Sequence, residues 1–466
     1  MPGPVVRVLL VVWLAAAVCV PHVRGQAPGG GQAPTVDQRI TQLLEQVSEA
    51  RLIGILKKLG SFETRNTLSS TDSPTKGIGA ARQWILDEMT KSSPRLQVSF
   101  DSYAAPQAGR ITREVELRNV MAVLPGKSPR RIYISAHYDT FARRPAPTGQ
   151  ARPAAGSAPP RAAAAPATPA AQAQAPASDN DNSAPGVNDD GSGTALVMEL
   201  ARVCAGSGIE FDATLVFIAL VAEEQGLVGA RMHAQKAVAD KVVIDAVLNN
   251  DMVGNVEAGN GLVDAESVRV FSEGPEDSPS RQLARYVQRT ASLFVPSQQI
   301  RLMARYDRFG RGGDHTPFNQ AGFTAIRITE ANENFERQHT TADTFEGMSI
   351  PYFLRNVKVN LAVAASLALA PPAPVVMEKN QPMLGRQPSG YDANLHWLPS
   401  PGAAGYRIYW REAWTPDWQH EQHVGNVTQF VLPGLSIDDY VFGVAAVGPG
   451  GHESLVSAYV NPPRSR

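Results

Sequence analysis

From Val36 to Leu59 apolar residues recur at helical spacing, at Ile40, Leu43, Leu44, Val47, Leu52, Ile55 and Leu56. The pattern predicts a helical stretch with one apolar face. A second helix is predicted over Gly77–Met89, followed by strands over Leu96–Phe100, Val115–Val123 and Arg131–Ala136. Ser192–Cys204 returns to helical spacing. Ala213–Ala222 is a near-continuous apolar run, as a strand buried on both faces requires, and Ile244–Leu248 and Thr324–Ile328 are shorter runs of that kind. Helical patterns at Leu227–Val238 and Ser280–Leu293 lie between them, and a closing helix is predicted over 352–370. Strands alternating with helices indicate an α/β fold: an α/β/α sandwich on a mixed, largely parallel central sheet, spanning 36–372.

Pro371, Pro372 and Pro374 end that pattern, and 373–390 reads as a linker. From Tyr391 the period changes to short alternating strands, Ala393–Trp397, Gly405–Trp410, Gln429–Leu432 and Tyr440–Val447. Turn residues separate them, so 391–466 reads as a small β-sandwich. Residues 144–178 differ from everything else. Ala and Pro dominate, with no large aliphatic or aromatic side chain to bury, and disorder is expected. The Gly, Pro and Gln rich stretch 26–35 is expected to be disordered as well. Loop-closure entropy grows slowly with length, so an insertion of this size is tolerable between two parts of one site.

The chain opens with Arg7 and an apolar run, Val8–Val20, that is too short for a comfortable membrane span. Small residues then offer a cut near Gly25 or Ala27. Residues 1–25 therefore read as a signal peptide rather than an anchor, and the protein is expected to be secreted or periplasmic. Val18 before Cys19 argues against a lipoprotein. The only cysteines are Cys19 and Cys204, so a processed chain would hold one thiol and no internal disulfide. Cys204 lies in an apolar helical pattern and reads as a small buried hydrophobe. With 43 basic and 44 acidic residues, the net charge of -1 gives no basic surplus for nucleic acid.

Chemistry enters with five residues: His137 in Ser-Ala-His-Tyr-Asp, Asp189 in Gly-Val-Asn-Asp-Asp-Gly-Ser-Gly, Glu224 in Ala-Glu-Glu-Gln-Gly, Asp251 in Asn-Asn-Asp-Met-Val-Gly and His339 in Gln-His-Thr-Thr-Ala-Asp-Thr. Imidazole and carboxylate are the ligands zinc takes where it keeps a position open for water. Each residue alone has a structural reading, as a turn, a cap or a surface group. His137, Glu223, Glu224 and Asp251 each follow a predicted strand, where active sites of open α/β sheets lie. The set suits two zinc ions, with Asp189 bridging them. Glu223, beside a ligand, is free to move protons, and Asp139 can orient the His137 imidazole. Together they point to metal-assisted hydrolysis.

The motifs resemble those of the co-catalytic di-zinc exopeptidases of metallopeptidase family 28, over about Ala50–Ala370. The resemblance implies His137 and Asp251 on one zinc, Glu224 and His339 on the other, Asp189 between them, Glu223 as general base and Asp139 as partner of His137. Asp314-His315 matches a further family motif and is assigned to shaping the pocket. Two features depart from the family pattern. The insertion is long, and Gln338 stands where some members place a tyrosine that stabilises the oxyanion. Tyr306 is a candidate substitute. The C-terminal segment resembles a fibronectin type III module, with Trp397 and Tyr406 on core strands and Leu435 and Tyr440 at a tyrosine corner. His396, His420, His423 and His452 show no ligand spacing.

These features imply an exported aminopeptidase acting on peptides with a free amino terminus, with no integral membrane anchor. The C-terminal module is expected to bind a surface or protein partner or to space the enzyme. A one-zinc glutaminyl cyclase-like transferase or a carboxypeptidase on the same fold is the alternative. A non-catalytic receptor would have lost ligands, and none is lost.

Overall fold

The computed structural model describes residues 36–142 and 183–460. The signal-peptide segment, the 26–35 stretch and the insertion at 144–178 lie outside the described residues. The first helical pattern divides into α1 (Gln38–Glu45) and α2 (Glu49–Gly60). The break falls at Ser48. Its hydroxyl accepts the Arg51 amide and caps α2, and its own N–H donates to buried Glu199. The chain continues through α3 (Gly77–Ser92), β1 (Gln97–Ala105), β2 (Val115–Leu124), β3 (Arg131–His137), α4 (Gly191–Gly206), β4 (Thr214–Leu220) and α5 (Val228–Ala239). There follow β5 (Ile244–Asn250), β6 (Ser267–Ser272), α6 (Pro279–Phe294), β7 (Gln299–Met303), α7 (His315–Gln320), β8 (Ala325–Glu330) and α8 (Ile350–Leu369).

The eight strands form one sheet in the order β1-β2-β4-β3-β5-β8-β6-β7. β4, β3, β5 and β8 run parallel, while β2 is antiparallel to β4 and β6 is antiparallel to β8. Every residue of β4 is buried, which explains its unbroken apolar run. One face packs under α2, α3, α4, α6 and α8, and the other under α5 and α7 around Tyr133, Val216, Ile218 and Phe318. The expected α/β/α sandwich is what the chain forms. Its four parallel strands deliver their carboxyl ends to one edge.

The C-terminal segment contains β9 (Met377–Glu378), β10 (Gln381–Pro382), β11 (Leu384–Arg386), β12 (Ala393–His396), β13 (Gly405–Glu412), β14 (His420–Gly425), β15 (Gln429–Leu432), β16 (Tyr440–Val447) and β17 (Ser457–Ala458). They form a β9–β10 hairpin and two larger antiparallel sheets, β11-β12-β15 and β14-β13-β16-β17. The stretch read as a linker, 373–390, is thus partly inside the module. Val376 is buried in its core and β11 pairs with β12, because Val376 and Leu384 have an apolar face to cover. Trp397 and Tyr406 are core residues, with ring centroids 5.3 Å apart. Tyr440 is half-buried. The tyrosine hydroxyls bonded to backbone here belong to Tyr406, which accepts from Ser400 N–H, and Tyr459, which donates to the His396 carbonyl.

The module is docked on the α/β domain. Arg411 pairs with both oxygens of Asp277 at 2.8 and 2.9 Å, Trp418 Nε1 donates to Gln282 Oε1 at 3.0 Å, and His452 Nε2 lies 2.7 Å from Asp37. Among the described residues, no helix is long and apolar enough to cross a membrane.

Candidate metal centre

β3 ends at His137, β4 leads through Ala222 into Glu223 and Glu224, and β5 leads into Asp251. Asp189 arrives from the turn before α4, and His339 from the loop between β8 and α8. Three backbone positions here are left-handed without glycine: Ala222 (φ 61°), Met252 (φ 58°) and His339 (φ 61°). Each costs of order 1 kcal/mol, and such residues persist where the surrounding structure fixes them. They turn the chain sharply beside Glu223 and Asp251 and aim His339 itself.

The two imidazoles face opposite sides of one carboxylate. His137 Nε2 lies 3.3 Å from Asp189 Oδ1, and His339 Nε2 lies 3.1 Å from Asp189 Oδ2. Asp251 Oδ1 is 3.8 Å from His137 Nε2, and Glu224 Oε1 is 2.9 Å from His339 Nε2. Donor atoms of His137, Asp189 and Glu224 lie within 4.8 Å of one another, as do those of His137, Glu223 and Asp251. All five sequence-assigned ligands converge, with Asp189 central.

The donor set fits zinc on electrostatic grounds. Asp189, Glu223, Glu224 and Asp251 crowd one pocket with Asp139 and Asp314 behind them. The buried cation in contact with a ligand is Arg327, 2.9 Å from Asp251 Oδ2. Burial lowers the His339 pKa, but the Glu224 charge and the Asp189 hydrogen bond outweigh it and lift the imidazole to about 10. His137 is likewise raised well above 6.5, against burial, by hydrogen bonds to Asp189 and Asp251. The carboxylates hold protons on both imidazoles where a cation would otherwise compensate them. Glu223 is partly exposed. Burial, together with the Glu224 and Asp251 charges, drives its pKa well up against the pull of His137. Among the described residues its carboxylate makes no hydrogen bond, so it is free to face a water.

Asp139 meets His137 and also does a job that the sequence did not show. Its carboxylate stays 3.7 Å from His137 Nδ1, while its main-chain carbonyl lies 3.1 Å from that nitrogen. The carboxylate instead accepts the Glu223 amide at 3.2 Å, the Glu224 amide at 3.3 Å and the Thr67 hydroxyl at 3.1 Å. It is a positioning residue for the Glu-Glu pair. Asp190 caps α4 through Gly193 N–H and also accepts the amides of His137 and Met252, joining three ligand-bearing segments. A side chain at Gly193 would stand 2.3 Å from the Asn250 carbonyl, so only glycine lets α4 approach the end of β5.

Several further residues support the ligands. Asp343 accepts the Asn188 and Asp189 amides, both at 2.9 Å, and so fixes the bridging residue. It lies in the quoted His339 motif, four positions on, which was the available clue. Glu330, fully buried at the end of β8, accepts from Asn188 Nδ2 and Asn255 N–H. Arg65 is fully buried and donates to the carbonyls of Leu59, Tyr138, Pro185 and Gly186. Gln338, in place of a tyrosine, donates from Nε2 to Asp189 Oδ2 at 2.8 Å. Tyr306 is half exposed, and its carbonyl lies 2.7 Å from His315 Nε2. Asp314 is 1% exposed with both oxygens unpartnered among the described residues, and burial lifts it to about 8. His315 is fully buried, pushed down to about 4 by burial. The pair is buried close to Arg327, beside Gly313. His396, His420, His423 and His452 all sit in the C-terminal module, away from the strand ends that bear the ligands.

The profile of Peptidase family M28 matches residues 119–364. A probable zinc metalloprotease of Pyricularia oryzae is 35% identical over 464 residues, covering 91% of this chain and 84% of its own. A second, from Leptosphaeria maculans, is 34% identical over 456 residues, covering 90% of this chain and 96% of its own. Among solved structures, the Legionella pneumophila LapA aminopeptidase superposes with a TM-score of 0.52 at 19% identity, over 74% of this chain and 78% of its own. A Macrostomum lignano glutaminyl cyclase superposes with a TM-score of 0.50 at 16% identity, over 71% and 93%. At such identities the likeness is one of fold, and the same fold carries both activities.

Proposed function

The chain belongs to peptidase family M28 and is a zinc metalloprotease, and on that premise we propose that it is an exported aminopeptidase that binds two zinc ions and removes N-terminal residues from peptides. The observation that carries the two-metal reading is Asp189, whose two oxygens face His137 and His339 separately. His137 and Asp251 would hold one ion, Glu224 and His339 the other, and Asp189 both. Zinc, when bound, supplies Lewis acidity that polarises the scissile carbonyl and acidifies a water.

The chain's own residues do the rest. Glu223 takes a proton from the attacking water as the new C–O bond forms. It returns that proton to the amide nitrogen as the C–N bond breaks, so one water enters and one acid and one amine leave. Asp139 and Thr67 hold the Glu223 backbone for this, and Gln338 and Asp343 hold Asp189. Preference for a free amino terminus is carried over from the aminopeptidases that share the fold. Two antiparallel sheets of three and four strands support a fibronectin type III-like module at the C-terminus. In this reading the module meets a surface or protein partner. Export rests on the leader-like residues 1–25.

Zinc content and turnover of N-terminal arylamides, measured on the same protein, test the reading. Two equivalents of zinc are expected. Glu223→Gln should keep both ions while turnover falls by about 10²–10⁴. A plateau at one equivalent with cyclisation of N-terminal glutamine would replace this reading with the transferase. Near-normal turnover in zinc-loaded Glu223→Gln would remove Glu223 as the base.

A further inference from the structure

β1 and β2 are joined by a tight turn in which Ala108 and Ile111 exchange both backbone hydrogen bonds, at 3.0 Å each. Gly109 takes the left-handed conformation the turn needs (φ 58°), and buried Ile111 anchors it. Arg110 stands at the tip and is exposed. Its Nη1 donates to the Glu224 carbonyl at 2.7 Å, and its guanidinium carbon lies 5.8 Å from the centre of the Phe141 ring. Phe141 in turn meets the His339 ring edge-on, with centroids 5.3 Å apart. One contact chain therefore runs from Arg110 to Glu224 and His339, at the mouth of the metal centre.

Among the described residues Arg65, Arg327, Arg337 and Arg110 adjoin this centre, and Arg337 pairs with Glu257. Arg65 is fully buried and saturated by carbonyls. Arg327 is fully buried and paired with Asp251. Arg110 has no carboxylate within 4.0 Å among the described residues, and its Nε and Nη2 donate to none of them. A guanidinium near an aromatic ring, with Nη1 fixed on a carbonyl and Nε and Nη2 without a partner among the described residues, keeps a pair of donors that can bind a carboxylate bidentately. An ammonium group would be repelled at the same place.

We propose that Arg110, beside Phe141, is a specificity residue that binds a carboxylate of the substrate at the His339 side of the centre. The carboxylate is either the α-carboxylate of a short peptide or the side chain of an acidic residue beside the scissile bond. The proposal rests on the peptidase reading and narrows its substrates to short or acidic peptides.

The test compares matched pairs. Leu-Gly against Leu-Gly amide isolates the α-carboxylate, and Glu arylamide against Gln arylamide isolates the side chain. Wild-type protein should favour the carboxylate member of one pair by about 10- to 100-fold in kcat/KM, the worth of a hydrogen-bonded charge. Arg110→Met keeps the stem beside Phe141 and should bring that ratio near unity. Arg110→Lys, a point charge without the fork, should retain part of it. Any change in zinc occupancy scales both members alike and cancels in the ratio. Calorimetry with D-Leu-Gly and its amide, which resist hydrolysis, reads the same preference from binding alone. A protein that turns over none of the L-peptides yet binds the D-dipeptide in an Arg110-dependent way defeats the peptidase reading and keeps this one. Equal treatment of both members in turnover and in binding, or a preference that survives Arg110→Met, overturns it.

Discussion

Replacing Arg65 by Met should destabilise the α/β domain and loosen the bridging residue together. The guanidinium is fully buried and donates to four carbonyls: Nε to Tyr138 at 2.6 Å, Nη1 to Leu59 at 3.1 Å and to Pro185, and Nη2 to Gly186 at 2.8 Å. Two of these acceptors keep another partner, since Leu59 also accepts Phe62 N–H and Gly186 also accepts Gly191 N–H. Tyr138 and Pro185 would be left without a donor. A stranded acceptor costs about 1–3 kcal/mol, the upper end for buried Tyr138 and the lower end for half-buried Pro185, so the two together cost about 4 kcal/mol. Removing an uncompensated cation offsets some of this. Burial holds the Arg65 pKa down to about 10 despite the nearby Asp343 and Asp190. A net loss of about 3 kcal/mol remains, which for a domain of this size lowers the Tm by about 6 °C. The assay is thermal unfolding at fixed zinc, because bound metal raises apparent stability by mass action. Gly186 leads directly to Asp189, so zinc affinity should fall as well. Arg65→Lys, with three donors, should recover part of both losses. A Tm change below about 2 °C with unaltered zinc affinity would refute the assignment of Arg65 as the clamp between the Tyr138 and Gly186 loops.

Asp343→Asn turns an amide group toward the two backbone N–H donors of Asn188 and Asp189. Zinc affinity should fall about 10- to 100-fold, as for other residues that orient a ligand, read by competition with a chromogenic chelator. Cys204 is buried and its thiol is pushed up to about 12 by that burial. It should resist iodoacetamide at pH 8 in the folded protein and react fully on denaturation, followed by mass spectrometry of its peptide. Rapid alkylation of the native form would mean that α4 opens far more readily than its packing implies.

What could be read from the sequence follows a physical rule. His137, the Glu223–Glu224 pair and Asp251 each stand where an unbroken apolar run stops, and such a run has one reading, a strand buried on both faces. Polar residues straight after it lie at the sheet's carboxyl edge. β6 and β7 escaped the same reading. Arg269 interrupts the β6 run, and only the folded chain shows its guanidinium turning to the Glu330 carbonyl and Glu333. β7 is an edge strand with a mixed burial pattern. Arg65, Arg110 and Arg327 are single charged residues in loops or on a strand. Nothing local marks them, because most of their partners lie tens to hundreds of positions away. The contact of Asp139 with His137 shows a related limit. A His-x-Asp pair suggests a side-chain contact, but the backbone carbonyl of the same residue reaches the imidazole first. The linker reading of 373–390 failed because three prolines outweighed the apolar residues Val376 and Leu384.

The fold does not choose between peptide hydrolysis and cyclisation, since both occur on it at similar TM-scores. The choice lies in how the carboxylates of this chain are held. Asp139, Asp190 and Asp343 each accept two or more backbone amides, so the chain fixes the loops of Glu223, Glu224, His137 and Asp189 with buried acids. Adding Asp189, Glu224 and Asp251 in the same volume makes a negative cluster that opposes folding unless cations enter. One ion between His137 and Asp251 would leave Glu224 facing His339 alone across the other oxygen of Asp189. Two ions would satisfy both sides of that carboxylate. Metal binding would then belong to the folding free energy of the domain as much as to its chemistry. The strained backbone at Ala222, Met252 and His339 is tolerable on the same account, because the ligands it aims would recover its cost when the ions bind.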